Sequence, residues 1–194
     1  MTTAFVPQAR RRVLADLVPG GLVRDVTLVL AGVALVSLLG QVGIPLPFTP
    51  VPLTLGTLAV LLTGAALGPV RATASLGLFL VLGMVGVPLF AQHESGWHLA
   101  SFGYVIGYLL AAPLVGALAR RGADRALGST VALMVAGNLV IYACGVPWLM
   151  AYAHIGLGQG LALGVVPFLI GDAIKIVVAT GLLPAAWKLV DRSS

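Results

Sequence analysis

Apolar side chains run through most of this chain in long blocks, separated by short segments that are polar or rich in glycine and proline. A transmembrane helix needs roughly 20 apolar residues, and somewhat fewer where the bilayer thins locally. Six blocks predict such helices, at residues 26–44, 53–67, 73–88, 101–119, 129–152 and 163–189. Residues 68–71 (GPVR) predict a turn between the second helix and the third, because glycine and proline interrupt helices.

The composition indicates that lipid, rather than a soluble core, surrounds these blocks. Of the 194 residues, 59% are hydrophobic and only 9% are charged, whereas soluble domains carry about 25% charged residues. The predicted fold class is an all-α membrane protein with six transmembrane helices. Its expected parts are a leader at 1–25, a membrane domain at 26–189 and a tail at 190–194.

The positive charges predict the orientation of the chain. Ten of the eleven lysines and arginines lie before the first predicted helix, at or beyond the C-terminal end of the sixth, or in the connections 2–3 and 4–5. The other three connections contain neither residue type. Because lysine and arginine are enriched on the cytoplasmic side, we expect both termini in the cytoplasm. The basic residues form short clusters that suit anionic lipid, so we expect contact with membrane lipid and no nucleic-acid partner.

No motif for nucleotide, cofactor or metal chemistry is expected to function in this chain. Neither Lys175 nor Lys188 follows a glycine, so a Walker A motif is absent and energy for transport would have to come from a partner or an ion gradient. His93 and His98 are five residues apart, which does not align them on one helix face as in a zinc-binding HExxH motif. We therefore expect no catalytic residues, no cofactor and no metal site.

Two ionisable residues, Asp172 and Lys175, fall inside the sixth predicted helix. Residues three apart share one helix face, so the two side chains can reach each other or a common ligand. Charged residues at such a depth are costly and are functional candidates by default. They predict a site for a small polar molecule that carries N–H donors and a carbonyl acceptor. The alternative is a structural ion pair that joins two helices.

Other candidate site residues lie on the fifth helix and in the first outer loop. Asn138 and Tyr142 are one helical turn apart, and a buried amide or phenol needs a polar partner. The loop around Phe48, Thr49 and Pro50 is uncharged and stiffened by four prolines. That loop is either a lid over a cavity or a simple connector.

Six segments, in this order, carry a resemblance to a known family: 44–54 (IPLPFTPVPLT), 68–71 (GPVR), 86–91 (GVPLFA), 103–104 (GY) with Gly107, 145–148 (GVPW) and 167–175 (PFLIGDAIK). Together they resemble the BioY family, the biotin-specific S components of energy-coupling factor (ECF) transporters, from about residue 30 to 185. The resemblance implies a six-helix S-component fold in a prokaryotic cell membrane. It also implies capture of biotin from outside, with a transmembrane coupling protein and two ATPase subunits as partners.

The resemblance further implies roles for particular residues. Asp172 and Lys175 look like the pair that contacts the ureido ring of biotin. A second set is expected around the ligand: Phe48, Thr49, Pro50, Gly103 and Tyr104. Gly56 departs from the family, since many relatives carry glutamine there. The loop after Phe90 contains no lysine or arginine, so the partner of the biotin carboxylate stays open among His93, His98, Tyr104 and backbone amides.

Two other classes of function remain as alternatives. One is a solitary vitamin carrier that is coupled to protons through Asp172. The other is a membrane-embedded enzyme, which is disfavoured because no nucleophile–base pair or metal trio can be assembled within the predicted helices.

Overall fold

The computed structural model describes residues 12–193 and is mostly helical. Arg10 and Arg11 of the predicted leader and Ser194 of the predicted tail lie outside the described residues. The helices are α1 (Leu22–Gln41), α2 (Gly56–Met84), α3 (Phe102–Ala119), α4 (Leu127–Ala153), α5 (Leu157–Gly164) and α6 (Leu169–Ser193). Short 3-10 helices cover Leu14–Leu17, Ala91–His93 and Val166–Phe168.

Several of these helices are long and apolar enough to cross a membrane. Within residues 12–193 there are five such candidates, namely α1, α2, α3, α4 and the joined segment Leu157–Arg192, with mean hydropathies between 1.6 and 2.1. The chain is therefore a multi-pass membrane protein. The first predicted helix began at residue 26, whereas α1 begins at Leu22, because Arg24 and Asp25 pair with each other at 2.8 Å and are tolerated in its first turns.

The long helix α2 is interrupted at Gly68, inside the predicted turn. Gly68 has φ 77° and ψ 174°, a conformation that glycine adopts without a steric penalty. Both ends of α2 lie near the last turn of α1. The Leu55 amide donates to the Val42 carbonyl at 2.9 Å, and Gln41 Nε2 donates to the Phe90 carbonyl at 2.9 Å. A straight helix of 29 residues would separate its ends by about 43 Å, so the chain folds back at Gly68.

The helix α3 packs closely against both α2 and α4 through glycines. A Cβ atom added to Gly64 of α2 would lie 2.7 Å from the Ala112 carbonyl oxygen of α3. One added to Gly107 of α3 would lie 2.7 Å from the Ile141 Cα of α4. Small residues are typical of such crossings in lipid, because dispersion contacts between close backbones hold the helices together there.

A short two-stranded ladder departs from the otherwise helical structure. Strand β1 (Gly43–Ile44) pairs antiparallel with β2 (Leu53–Thr54), in the register Gly43 with Thr54 and Ile44 with Leu53. The ladder closes the base of the proline-rich loop at residues 45–52. That loop consequently starts and ends beside the last turn of α1 and the first turn of α2.

A group of charged residues gathers at the opposite end of α1. Arg71 donates to Asp16 at 2.8 Å and to Asp25 at 2.9 Å, and Arg120 lies 3.8 Å from Asp16. Burial tends to raise the pKa of Asp16, but hydrogen bonds from Arg71 and the Val13 amide, with the charge of Arg120, hold it below its usual value. Basic residues that were predicted to share one membrane face therefore lie together.

The C-terminal half of α6 is fixed to the α3–α4 connection at this same end. Asp124 is fully buried, and its Oδ2 accepts a hydrogen bond of 2.6 Å from Trp187 Nε1. The Arg125 guanidinium lies 3.8 Å from the centre of the Trp187 ring. Burial raises the pKa of Asp124, and the hydrogen bond from Trp187 opposes that rise.

The last apolar segment contains a break that hydropathy alone did not predict. The sixth helix was predicted from residue 163, but α5 ends at Gly164 and α6 begins only at Leu169. Pro167 lies in the 3-10 turn between them and cannot donate the amide that a continuous helix requires. The break sets where α6 begins and thus where its first two turns present their polar side chains.

Candidate ligand-binding site

Asp172 and Lys175 lie in the first turns of α6 and form a buried pair. Each residue is 6% exposed, and Lys175 Nζ donates to Asp172 Oδ1 at 3.1 Å. Their spacing of three residues places both side chains on one face of the helix, as the sequence predicted. Each charge thus has a partner of opposite sign within hydrogen-bonding distance, which lowers the cost of burial.

Two further helices contribute partners to this pair. The Tyr142 hydroxyl on α4 donates to Asp172 Oδ2, and Lys175 Nζ donates to Thr57 Oγ1 on α2 at 2.8 Å. The carboxylate is therefore held from α4 and α6, and the ammonium from α2 and α6. Side chains fixed from three helices form a site with a preset geometry.

A cavity opens beside the pair. It encloses about 720 Å³ of space free of protein atoms, part of it open to solvent. Its wall is mostly apolar and includes Phe79, Phe90, Ile141 and Phe168. A concave, mostly apolar cavity with a few convergent polar groups is typical of small-molecule sites.

Five of the sequence-predicted site residues line this cavity: Asp172, Lys175, Asn138, Tyr142 and Tyr104. Within residues 12–193 the Asn138 side chain has no hydrogen-bond partner, so its amide is available to a ligand. The Tyr104 hydroxyl already donates to the Gly164 carbonyl at 2.8 Å, which fixes the ring against the end of α5.

Four predicted residues lie outside the lining. Gly103 packs against α4, since a Cβ there would come within 2.2 Å of Trp148 Cβ. Phe48 is 59% exposed and Pro50 is also exposed. The buried Thr49 donates from Oγ1 to the Leu163 carbonyl at 2.9 Å. Contacts of these four residues with a ligand remain predictions.

Thr57 and Tyr108 are among the lining residues that sequence reasoning missed. Tyr108 lies four residues after Tyr104 on α3, and that spacing was a usable signal, because such residues share a helix face. Thr57 offered no such signal, since its contact with Lys175 is made across 118 positions of sequence.

Tyr108 also limits the space at Gly56, where an added Cβ would lie 3.1 Å from the Tyr108 hydroxyl oxygen. The tyrosine thus occupies space that a larger residue at Gly56 would need.

The histidines of the loop between α2 and α3 lie apart from the lining. His93 and His98 are both exposed, and the His93 amide donates to Gln41 Oε1 at 2.9 Å. In the described part of the chain, no group of three or more histidine, cysteine, aspartate or glutamate side chains is arranged to hold a metal ion.

Comparison with known proteins identifies the family. The sequence profile of the BioY family matches residues 8–192, nearly the full chain. The chain belongs to the BioY family. A relative from Pyrococcus horikoshii, described as a probable biotin transporter BioY, is 36% identical over 80% of this chain and 91% of its own length. The biotin transporter BioY of Thermotoga maritima is 34% identical over 78% of this chain and 90% of its own length.

A solved structure supports the same assignment. The S component for biotin from an ECF-type ABC transporter superposes on this BioY chain with a TM-score of 0.76 and 28% sequence identity. The match covers 86% of this chain and 92% of the other. The helix arrangement is therefore similar to that of an S component.

Proposed function

We propose that this BioY chain is the substrate-binding subunit of a biotin importer, which captures biotin from the outside in the cavity beside Asp172 and Lys175. The buried and hydrogen-bonded pair in a mostly apolar cavity is the observation that carries the proposal. The names of the relatives from Pyrococcus horikoshii and Thermotoga maritima support biotin as the ligand.

The hydrogen-bonding capacity of the pair matches the ureido ring of biotin, which has two N–H donors and one carbonyl acceptor. A carboxylate has about four lone-pair positions, and Asp172 uses one on each oxygen for Lys175 and Tyr142. Two positions are then left for the ring N–H groups. Lys175 has three donors and uses two, for Asp172 and Thr57, so one remains for the ring carbonyl.

The apolar part of the ligand fits the remaining wall. Phe79, Phe90 and Phe168 offer aromatic surface to the sulfur-containing ring and the aliphatic chain of biotin. Burial of apolar surface contributes roughly 25 cal/mol per Å². We infer that the polar pair orients the ligand and that the aromatic wall supplies much of its binding free energy.

We further propose that the chain crosses a prokaryotic cell membrane six times, with both termini in the cytoplasm. The fold-back at Gly68 supports two crossings within α2, which adds one to the five candidate segments. The cluster of Arg24, Arg71 and Arg120 around Asp16 and Asp25 supports a single cytoplasmic end. The cavity, beside the last turn of α1, then faces outward.

Transport in this proposal depends on other proteins. The chain has no Walker A motif, and the structural relative comes from an ECF-type ABC transporter. We infer that a transmembrane coupling protein and two ATPase subunits supply the energy, and that the chain performs no catalysis itself. Membrane lipid surrounds the apolar helices.

Equilibrium dialysis of detergent-purified protein against radiolabelled biotin tests the proposal. We expect saturable binding of one biotin per chain. Desthiobiotin keeps the ureido ring and should compete, whereas lipoate lacks it and should not. Lack of saturable binding, or equal competition by lipoate, contradicts the proposed function.

A further inference from the structure

The cavity is electrically balanced. Its lining, taken over residues 12–193, carries one negative charge on Asp172 and one positive charge on Lys175. These two groups are joined at 3.1 Å, so their fields largely cancel for a ligand group that lies much farther from them than that distance. The lining thus attracts neither cations nor anions strongly.

The Lys175 ammonium is poorly suited to hold a ligand carboxylate. It already donates to Asp172 at 3.1 Å and to Thr57 at 2.8 Å, and the residue is 6% exposed. A carboxylate at its remaining donor would lie close to the Asp172 carboxylate. Repulsion between the two anions would then offset the attraction to the ammonium.

The other polar groups of the lining are uncharged. Ser101, Tyr108 and Asn138 offer hydroxyl and amide donors. Hydrogen bonds from neutral donors are weaker than those from an ammonium or guanidinium, and they serve a carbonyl oxygen as well as a carboxylate oxygen. His93 and His98 are exposed outside the lining, where solvent and salt weaken their interaction with an anion.

From this charge balance we propose that the negative charge of the ligand carboxylate contributes little to its affinity for the site. Small amides and esters of the carboxyl group should bind about as tightly as the free acid. The inference rests on the proposed function, since it takes biotin as the acid. It extends the substrate class to uncharged carboxyl derivatives of the same ring system.

The test compares the dissociation constants of biotin and biotinamide, whose carboxamide has nearly the size of the carboxylate. Equilibrium dialysis of both ligands in the same buffer gives the two constants. We expect biotinamide to bind less than about fivefold more weakly than biotin. A larger loss overturns the proposal, because a cation-bound carboxylate typically contributes tenfold or more. If biotin itself fails to bind, the proposed function is wrong, which is a distinct result.

A double variant, His93→Gln with His98→Gln, provides a second test on the loop that contributes Leu89, Phe90 and Ala91 to the lining. Both residues are exposed, so the substitutions should leave the fold intact. We expect unchanged dissociation constants for biotin and biotinamide. A loss of biotin affinity by more than about fivefold, with unchanged affinity for biotinamide, overturns the proposal. In that case an imidazole would be binding the charged carboxylate.

Discussion

Replacement of Asp172 by asparagine perturbs the proposed site with little change in shape. In the native protein, Asp172 Oδ1 accepts from Lys175 and Oδ2 accepts from Tyr142. Asparagine retains one acceptor oxygen and puts an N–H₂ donor in place of the other. The variant therefore loses the negative charge and the acceptor positions that we assign to one side of the ureido ring.

The size of the effect follows from the hydrogen bonds that are lost. A hydrogen bond to a charged group contributes about 1.5–3 kcal/mol. Loss of one such bond to the ligand corresponds to roughly a 10- to 150-fold increase in the dissociation constant. The Lys175 ammonium also loses its counter-charge, although Thr57 still accepts from it at 2.8 Å. We therefore expect Asp172→Asn to bind biotin at least about tenfold more weakly.

Asp124→Asn is the matched control. Asp124 is also a buried aspartate with an aromatic hydrogen-bond donor, Trp187, but it lies at the end of the bundle remote from the cavity. We expect its dissociation constant for biotin to stay within about twofold of the native value. Both variants should be compared by equilibrium dialysis after gel filtration and thermal melting have established the folded fraction. Native affinity in folded Asp172→Asn would refute the assignment of the pair to the ligand.

Three further variants test separate parts of the account. Thr57→Val removes an acceptor of the Lys175 ammonium and should weaken biotin binding about 2- to 12-fold in dialysis. This is less than we expect for Asp172→Asn, because the bond that is lost is made to Lys175 and not to the ligand. Unchanged affinity would exclude Thr57 as a positioning residue. Thr49→Val removes the hydrogen bond that joins the proline-rich loop to α5. If the loop is a lid, biotin should dissociate faster from this variant in a chase experiment, whereas an unchanged dissociation rate favours a connector. Asp16→Asn should lower the melting temperature near pH 7. Because the folded pKa of Asp16 lies below its usual value, the native advantage should begin to shrink as the pH falls below about 4 and should be lost as the pH falls through the folded pKa. A difference that stays undiminished over this range would contradict the ion-pair explanation.

Some of the site could be predicted because its signals are local in sequence. Asp172 and Lys175 stand out as charged residues three apart in an apolar block, and this spacing brought them together on α6. Gly68 was recognisable as a helix break because glycine followed by proline rarely continues a helix. Both features depend on residues within one turn of each other.

Other parts of the site depend on contacts between distant segments. Thr57 meets Lys175 only because α2 and α6 begin at the same end of the bundle. The proline-rich loop lines the cavity through Val51 and Pro52, and Thr49 of the same loop donates to the Leu163 carbonyl of α5, a contact that the sequence did not indicate. The break before α6 escaped hydropathy because Val166, Pro167 and Phe168 are as apolar as the helices that flank them. Periodicity and hydropathy contain no information on such pairings.

The central claim is that the buried pair on α6 binds the ureido ring of biotin. A crystal structure of the purified protein with biotin tests it most directly. The account predicts that the ring N–H groups lie within about 3.2 Å of Asp172 carboxylate oxygens, with the ring carbonyl at a similar distance from Lys175 Nζ. Biotin bound with its ureido ring away from the pair, or bound outside this cavity, would contradict the account.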